Sequence, residues 1–468
     1  MMLRLVVVLS LLIPVLVSCS SSKKTMVEEP KAEQAPKPDW VTSRPMRAGY
    51  FIGIAVVDKR RYPNSYAEEA RKLALQDIAS EIEVDIESTS ILFSFERAND
   101  GFQDEYRSYS RMTTNKNLRN FQLEDIYETD EKYFVYYSLS KQVYQRDKSE
   151  RMERALDESK RFVGEAENLI VRKRFRDAFV QYMRALQAVE EFAGESLRTN
   201  FEGEEVFWSN ALPARINAFS TSLSFADNGE SVKVLWGLAP DESALTAVLN
   251  DPSGGAAVGI PVRISYSEGF IRPRVSLTNV RGEVVANLNK IREKKGRQML
   301  TFTVDLVEMF NAAESDPADA FMERLIKSIT APMLERTLVV EAPRVFVNYS
   351  ARLPSGIRGG DEPESAAVER LNRLGFRSAP GRNAADLIFD IQLVASLIEP
   401  MADMHRSDLD VRLTVTATKD QSTVFNETLP NIRGVQLSDA AAVQNGIYKT
   451  ADELNEVAVP RFHRFLLR

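Results

Sequence analysis

Apolar and polar positions recur along the chain with two different periods, and the places where the period changes divide it into regions. Leu5 to Val17 is almost wholly apolar, broken by Ser10 and Pro14. A spanning helix needs about 20 apolar residues, so this run is too short to cross a membrane and stay. With Arg4 before it, the run has the form of the core of an export signal. Ser20 to Pro38 is serine, lysine, glutamate and proline with little to bury, which predicts a flexible tether. Tyr50 to Val56 is an aromatic and branched run that predicts a strand with Gly53 inside it. Ser65 and Glu68 have capping-box spacing and open a helix with Ala67, Ala70, Leu73, Ala74, Ile78 and Ile82 on one stripe. Further strands are expected at Ile86 to Phe95, Thr114 to Ile126 and Tyr133 to Leu139.

The helical period returns from Lys148 to Phe219, where small alanines such as Ala166, Ala178 and Ala185 alternate with Leu169, Phe175 and Tyr182. This spacing is similar to one tetratricopeptide hairpin. A lone hairpin cannot bury its own face, so it reads either as a packing element or as a peptide-binding groove. Arg172-Lys173-Arg174 near its turn reads as a solvated helix end or an anionic-ligand site.

From Ser220 to Glu308 the period shortens to two. Val232 to Trp236, Leu245 to Leu249, Val258 to Ile264, Leu277 to Val284 and Met299 to Leu306 are short strands between turn clusters such as Asp251-Pro252-Ser253-Gly254-Gly255, which argues a β-sandwich. Gly259-Ile260-Pro261-Val262 and Thr278-Asn279 with Gly282 and Val284 resemble bacterial immunoglobulin-like domains. Arg336 to Arg468 reads as α+β. Strands are expected at Thr337 to Val340, Val345 to Val347, Leu387 to Leu397, Leu409 to Ala417 and Thr423 to Thr428, with helices at Ser365 to Leu374 and Asp439 to Leu467. The stretch from Ala384 to Leu393 is similar to strands in periplasmic assembly proteins with a TolB-like N-terminal domain.

Composition narrows the function. A chain of 468 residues exceeds one comfortable core and implies three or four domains. A net charge of −7 gives no support to nucleic-acid binding. The chain has two histidines, His405 and His463, and one cysteine, with no His/Cys cluster at metal-ligand spacing. There is no G-x-S-x-G elbow to nominate a catalytic serine, and Gly254-Gly255 lacks the Lys-Ser/Thr of a P-loop. Asp403 to Asp408 places His405 among acids, and is expected to be a solvated loop between strands rather than a site. Asp386 and Asp390 share a strand face, which admits a glycosidase reading that no second feature supports. Trp40, Trp208 and Trp236 are expected in cores or domain contacts rather than as sugar platforms. No catalytic, cofactor-binding or metal residue is expected.

Leu16-Val17-Ser18-Cys19 resembles the lipobox of bacterial lipoprotein precursors. The resemblance implies cleavage before Cys19, which becomes an N-palmitoyl, S-diacylglycerol cysteine. At about 0.8 kcal/mol per buried methylene, two or three chains make a lasting anchor. A lone cysteine in an exported chain can form no internal disulfide, whereas a lipid-bearing thiol needs no partner. Ser20 after the cysteine is compatible with sorting to the outer membrane.

Pro38-Asp39-Trp40-Val41, then Tyr50 to Ala55, then the alanine-rich helix and an aromatic strand at Tyr133 to Tyr137 resemble the Lpp-twenty lipoprotein family, over roughly a hundred residues. The same module opens flagellar assembly protein T. The resemblance implies an envelope location and a sheet-plus-helix fold, and brings no catalytic residues. The expected architecture is α+β and multidomain. It comprises a signal peptide (1–18), a lipidated tether (19–38), an Lpp-twenty-like domain (39–146), a tetratricopeptide-like helical region (147–219), an immunoglobulin-like sandwich (220–308), a helical connector (309–335) and an α+β domain (336–468). The expected function is a non-enzymatic outer-membrane lipoprotein serving as scaffold or accessory subunit, with envelope proteins as partners. The alternative is a lipoprotein that binds glycan or peptidoglycan.

Overall fold

The computed structural model describes residues 36–82, 90–91, 118–226, 231–294, 296–311, 320–401 and 403–468. Cys19, most of the tether and the strand expected at Ile86 to Phe95 lie outside the described residues. The chain is mixed helix and strand with several sheets, an α+β architecture. The described residues fall into two compact units, 36–82 with 118–145, and 90–91 with 146–468.

In the first unit, β1 (Tyr50–Asp58), β2 (Gln122–Glu128) and β3 (Lys132–Ser140) form an antiparallel sheet in the order β1-β3-β2. α1 (Tyr66–Glu81) lies on one face of it, over β1 and β3. The buried stripe of α1 is Ala70, Ala74, Ile78 and Ala79, continued by Ile82, while Ala67 and Leu73 are exposed. Small residues there let the helix sit directly on the sheet. A Cβ on Gly53 would stand 2.1 Å from the Ala74 carbonyl oxygen, so only glycine fits under that turn. Ser65 is the N-cap residue, yet its side chain makes no cap bond. Its carbonyl accepts from the Glu69 N–H instead, and the expected capping box is not formed.

The second unit starts within α2 (Lys141–Val171) and continues with α3 (Phe175–Ala188), the hairpin of β4 (Arg198–Phe201) and β5 (Glu204–Phe207), and α4 (Trp208–Ser222). The hairpin falls inside a stretch expected to be helical throughout. Trp208 is fully buried, and its indole N–H donates to Ser159 Oγ at 2.8 Å, which donates in turn to the Ala185 carbonyl. One side chain thereby ties three helices together.

After β6 (Ser224–Phe225) and β7 (Val232–Leu235) come a single turn, α5 (Glu242–Leu245), and the strands β8 (Thr246–Asn250), β9 (Pro261–Tyr266), β10 (Val275–Leu277), β11 (Glu283–Val285) and β12 (Arg297–Val304). Two helices, α6 (Leu306–Asn311) and α7 (Ala320–Ser328), precede β13 (Met333–Glu341). One sheet runs β10-β9-β12-β13-β7 and another β11-β8-β6. β13, expected to open the C-terminal domain, lies instead between β12 and β7. The reason is its alternating burial, which places Leu334, Arg336 and Leu338 inward. Arg336 is buried and donates to the carbonyls of Ala244 and Thr246.

The rest is β14 (Arg344–Arg352), α8 (Glu362–Arg373), β15 (Arg377–Ser378), β16 (Leu387–Met401), β17 (Met404–Ala417), β18 (Thr423–Gln436), α9 (Asp439–Glu453), a π-turn at Leu454–Ala458 and α10 (Val459–Leu467). The sheet order is β15-β14-β16-β17-β18, with β14 parallel to β15 and β16. Its inner side chains, among them Phe389, Leu413 and Val415, pack with Ala367, Val443, Ile447 and Phe462 of the helices. Here too a glycine sets the helix down. A Cβ on Gly434 would stand 1.9 Å from the Ala442 carbonyl oxygen. Trp236 packs on Phe376 at 4.5 Å, so the C-terminal region and the two-sheet region share one apolar cluster. The helical region shares a second with Leu249, Ile260 and Val304. The second unit's regions are fused through their cores rather than strung as beads.

Candidate functional site

The residues singled out in the sequence are dispersed, and most are occupied structurally. His405 lies in β17, in a hairpin rather than the expected loop, because β16 and β17 pair out to Met401 and Met404. Its Nδ1 stands 2.7 Å from Asp439 Oδ1 at the start of α9. His463 Nε2 stands 2.7 Å from Lys294 Nζ, beside Trp236. Burial, then the charges of Lys294 and Arg370, lower its pKa. Asp386 is paired with Arg344 and Asp390 with Arg382 and Asn348. Lys173 is not a free helix end, since its Nζ is 2.9 Å from Asp251 Oδ2. Burial alone would raise the Asp251 pKa, but hydrogen bonds from Ser253, Lys173 and the backbone hold it well below the carboxylate range. Among the described residues, no group of three or more His, Cys, Asp or Glu is placed to hold a metal.

Trp208 and Trp236 are buried. Trp40 is not. It lies in the first unit, against the sheet face opposite α1, and that face is the candidate site. The register places Ile54, Tyr136 and Asp125 in one row across the sheet, and Val56, Phe134 and Tyr127 in the next. Trp40 packs on Tyr136 at 5.8 Å, and Tyr127 on Phe134 at 5.8 Å. A bulge between Leu123 and Asp125 shifts the register of β2 and brings Asp125 onto this face, the re-aiming that bulges commonly produce. Asp125 Oδ2 accepts the Trp40 indole N–H at 2.7 Å, which fixes the ring's orientation. At one end of the face, Arg47 lies 3.7 Å over the Tyr50 ring and pairs with Glu124 at 2.9 Å.

Ile54, Tyr127, Phe134 and Tyr136 are half-buried, and Val56 is 49% exposed. Around the apolar floor, Asp125 is engaged by Trp40, and Glu124 by Arg47 and Ser138. What such a surface offers chemically is apolar area that another apolar surface can cover. The sequence carries a signal for it that the period alone obscures. Tyr133 to Tyr137 and Phe51 to Val57 are apolar at both parities, the pattern of a strand covered on both faces.

The two edges of the same sheet are treated differently. Along β1, the Ile52 N–H donates to Glu81 Oε2 and the Ile54 N–H to Asp77 Oδ2, both at 2.9 Å, while Arg44 Nη2 donates to the Ile52 carbonyl. Asp77 and Glu81, one turn apart on α1, with Arg44 thus stand in for a neighbouring strand. On β2, Leu123 is 47% and Ile126 42% exposed. The Tyr133 hydroxyl, beneath α1, has a pKa raised by burial and then by Glu128, Tyr137 and Tyr66.

No family model and no curated protein matches the sequence. Among solved structures, a neuraminyllactose-binding hemagglutinin homologue from Helicobacter pylori is 12% identical, covering 26% of this chain and 88% of its own, with a TM-score of 0.19. A lipoprotein from Caulobacter crescentus is 15% identical over 26% of this chain and 89% of its own, TM-score 0.18. TolB from Acinetobacter baumannii is 15% identical over 25% of this chain and 29% of its own, TM-score 0.14. Scores this low carry no argument about this chain.

Proposed function

We propose that the protein is a non-enzymatic, lipid-anchored scaffold of the bacterial envelope that docks an apolar partner surface on the open face of its N-terminal sheet. The observation that carries the reading is the aromatic patch of Tyr127, Phe134 and Tyr136, spread over two neighbouring rows and left half-covered beside Trp40. Acylation of Cys19 and sorting to the outer membrane would confine this face near the bilayer, and confinement raises effective concentration toward partners there. On this reading the N-terminal unit is an Lpp-twenty-type module. The two-sheet region is an immunoglobulin-like spacer, and the helical region a tetratricopeptide-like packing element.

The test compares three proteins in crosslinked cells. Wild type is expected to carry fatty acid and to crosslink to envelope protein. Cys19→Ala is expected to lose the lipid and the membrane fraction. Phe134→Asp is expected to stay lipidated and lose the crosslink. An unacylated wild-type chain, or a Phe134→Asp chain with unchanged crosslinks, would overturn the reading.

One observation favours the alternative, a glycan- or peptidoglycan-binding lipoprotein. Trp40 is held by Asp125 in a fixed pose, as a sugar platform requires. Against it, Asp125 is engaged by Trp40, and Glu124 by Arg47 and Ser138, which leaves few groups for hydroxyls. Sedimentation with purified cell-wall material separates the two.

A further inference from the structure

Two nitrogen bases are held in contact where the two-sheet region meets the C-terminal region. Lys294 lies between β11 and β12, and its Nζ stands 2.7 Å from His463 Nε2 on α10. A lysine holds its proton about four pH units more firmly than a histidine, so the ammonium donates and Nε2 accepts. His463 is therefore neutral in this arrangement, with its proton on Nδ1. The other contacts of the ammonium are the Leu374 carbonyl at 2.7 Å and the Trp236 ring, whose centre is 4.0 Å away. Leu374 is the C-cap of α8, where carbonyls without helical partners favour a cation, and an indole face favours one too. The seat suits a charged lysine for as long as the imidazole beside it is uncharged.

We propose that this contact is an acid-released catch: a proton on His463 drives Lys294 from its seat on α8 and Trp236 and loosens residues 292–294 from the C-terminal region. The catch lies in the second unit and does not depend on the docking reading above. A protonated imidazole has no acceptor to offer, and it sets a second unit charge against the ammonium at hydrogen-bond distance. Among the described residues, no carboxylate pairs with either group. From α8, His463 is faced by Arg370, a third cation, whose Nε is buried without a hydrogen-bond partner. On α10 the charged neighbours are Arg464 and Arg461, the latter paired with Glu427. Trp236 and Phe376 complete the surround and carry no charge.

Lys294 is the partner that moves. It is exposed, whereas His463 is half-buried on a helix anchored by the buried Val459, Phe462 and Leu466. Ile291 limits how far the release spreads. It is fully buried, its carbonyl accepts from the Gly237 N–H, and its own N–H donates to the Leu238 carbonyl. The segment is pinned there and free to swing only beyond it. Burial, then Lys294 and Arg370, lower the His463 pKa, so the catch is closed above the ordinary value of about 6.5 and opens as pH falls below it.

Trp236 reports the release, because it is 3% exposed and Lys294 lies over its ring. Hydroxyl-radical oxidation of each tryptophan is followed in the full chain from about pH 7.5 to about pH 5. Trp236 oxidation is expected to rise at least about threefold toward acid, as local opening without unfolding allows. Trp208, fully buried in the helical region, should stay unreactive and so report an intact fold. His463→Gln keeps an acceptor but takes up no proton, and Lys294→Met keeps an uncharged side chain over the ring; each should remove the pH response. The His463 imidazole, followed by NMR, should titrate below its ordinary value in wild type and closer to it in Lys294→Met. An equal acid response in His463→Gln, a His463 titration unmoved by Lys294→Met, or a protonated His463 with Trp236 still protected would overturn the proposal. So would a rise of Trp208 together with Trp236, which would assign the change to unfolding.

Discussion

The N-terminal sheet and the C-terminal sheet are built the same way on one face and oppositely on the other. Each has a helix set down on a glycine, Gly53 under Ala74 and Gly434 under Ala442. On the far side, the N-terminal rows read Ile54-Tyr136-Asp125 and Val56-Phe134-Tyr127. The C-terminal rows read Asn348-Asp390-Thr414-Asn426 and Ser350-Gln392-Arg412-Thr428. A sheet whose outer face meets water keeps that face polar, as these two rows do, although the adjoining row on that face holds Phe346 and a buried Ile388. The first sheet keeps aromatic rings there, which is why the proposed docking surface is placed on it. Two similar scaffolds in one chain thus separate what the fold requires from what lies beyond it.

The largest effect tests the shared half of the comparison. Gly53→Val and Gly434→Val should each destabilise by about 3 kcal/mol through overpacking, seen in thermal melts; a loss well under about 1 kcal/mol at either site would mean the helix seats are loose. Next comes the half that differs. Phe134→Asp should reduce partner crosslinking at least tenfold, whereas Thr428→Asp on the polar face, opposite Arg412, should leave it unchanged and shift stability by no more than about 0.5 kcal/mol. Equal effects would erase the distinction. A smaller change is expected from Trp40→Ala. Losing the tilted ring contact with Tyr136 and the bond to Asp125 should cost about 1–2 kcal/mol, measured by denaturant unfolding of the first unit.

The smallest effect uses acid to separate the regions, because both histidines are in the second unit. Burial, then Lys294 and Arg370, lower the His463 pKa below its ordinary value. The unfolded chain therefore takes up the proton first. The contribution of His463 to stability is complete above its ordinary pKa of about 6.5 and is lost as pH falls through that value toward the folded one. His463→Gln should flatten that slope, and the first unit's melt should not follow it.

Much of this was legible in the chain. The strict alternation from Asp408 to Val415 announces a sheet with one wet face, and β17 has it. The alanine stripe of α1 announced a close helix, although the buried set turned out to be Ala70, Ala74, Ile78 and Ala79, without Ala67 or Leu73. Periodicity did not reveal strand partners. β13 is two residues from β14, and nothing local says that it joins β12 and β7 rather than the C-terminal sheet. The Asp403 to Asp408 segment looked like a loop because its charges mask the pairing that Ser407 and Leu409 continue. The open face was readable in principle, since β3 is apolar at both parities, but its two uncovered rows depend on a bulge in β2 that only the register discloses.

The most direct measurement is hydroxyl-radical footprinting of the protein in intact envelopes and after purification. Val56, Tyr127 and Phe134 should be protected in the envelope and reactive once purified, while Val394 on the polar C-terminal face should react equally in both. Equal reactivity of the aromatic face in the two preparations would contradict its being a docking surface.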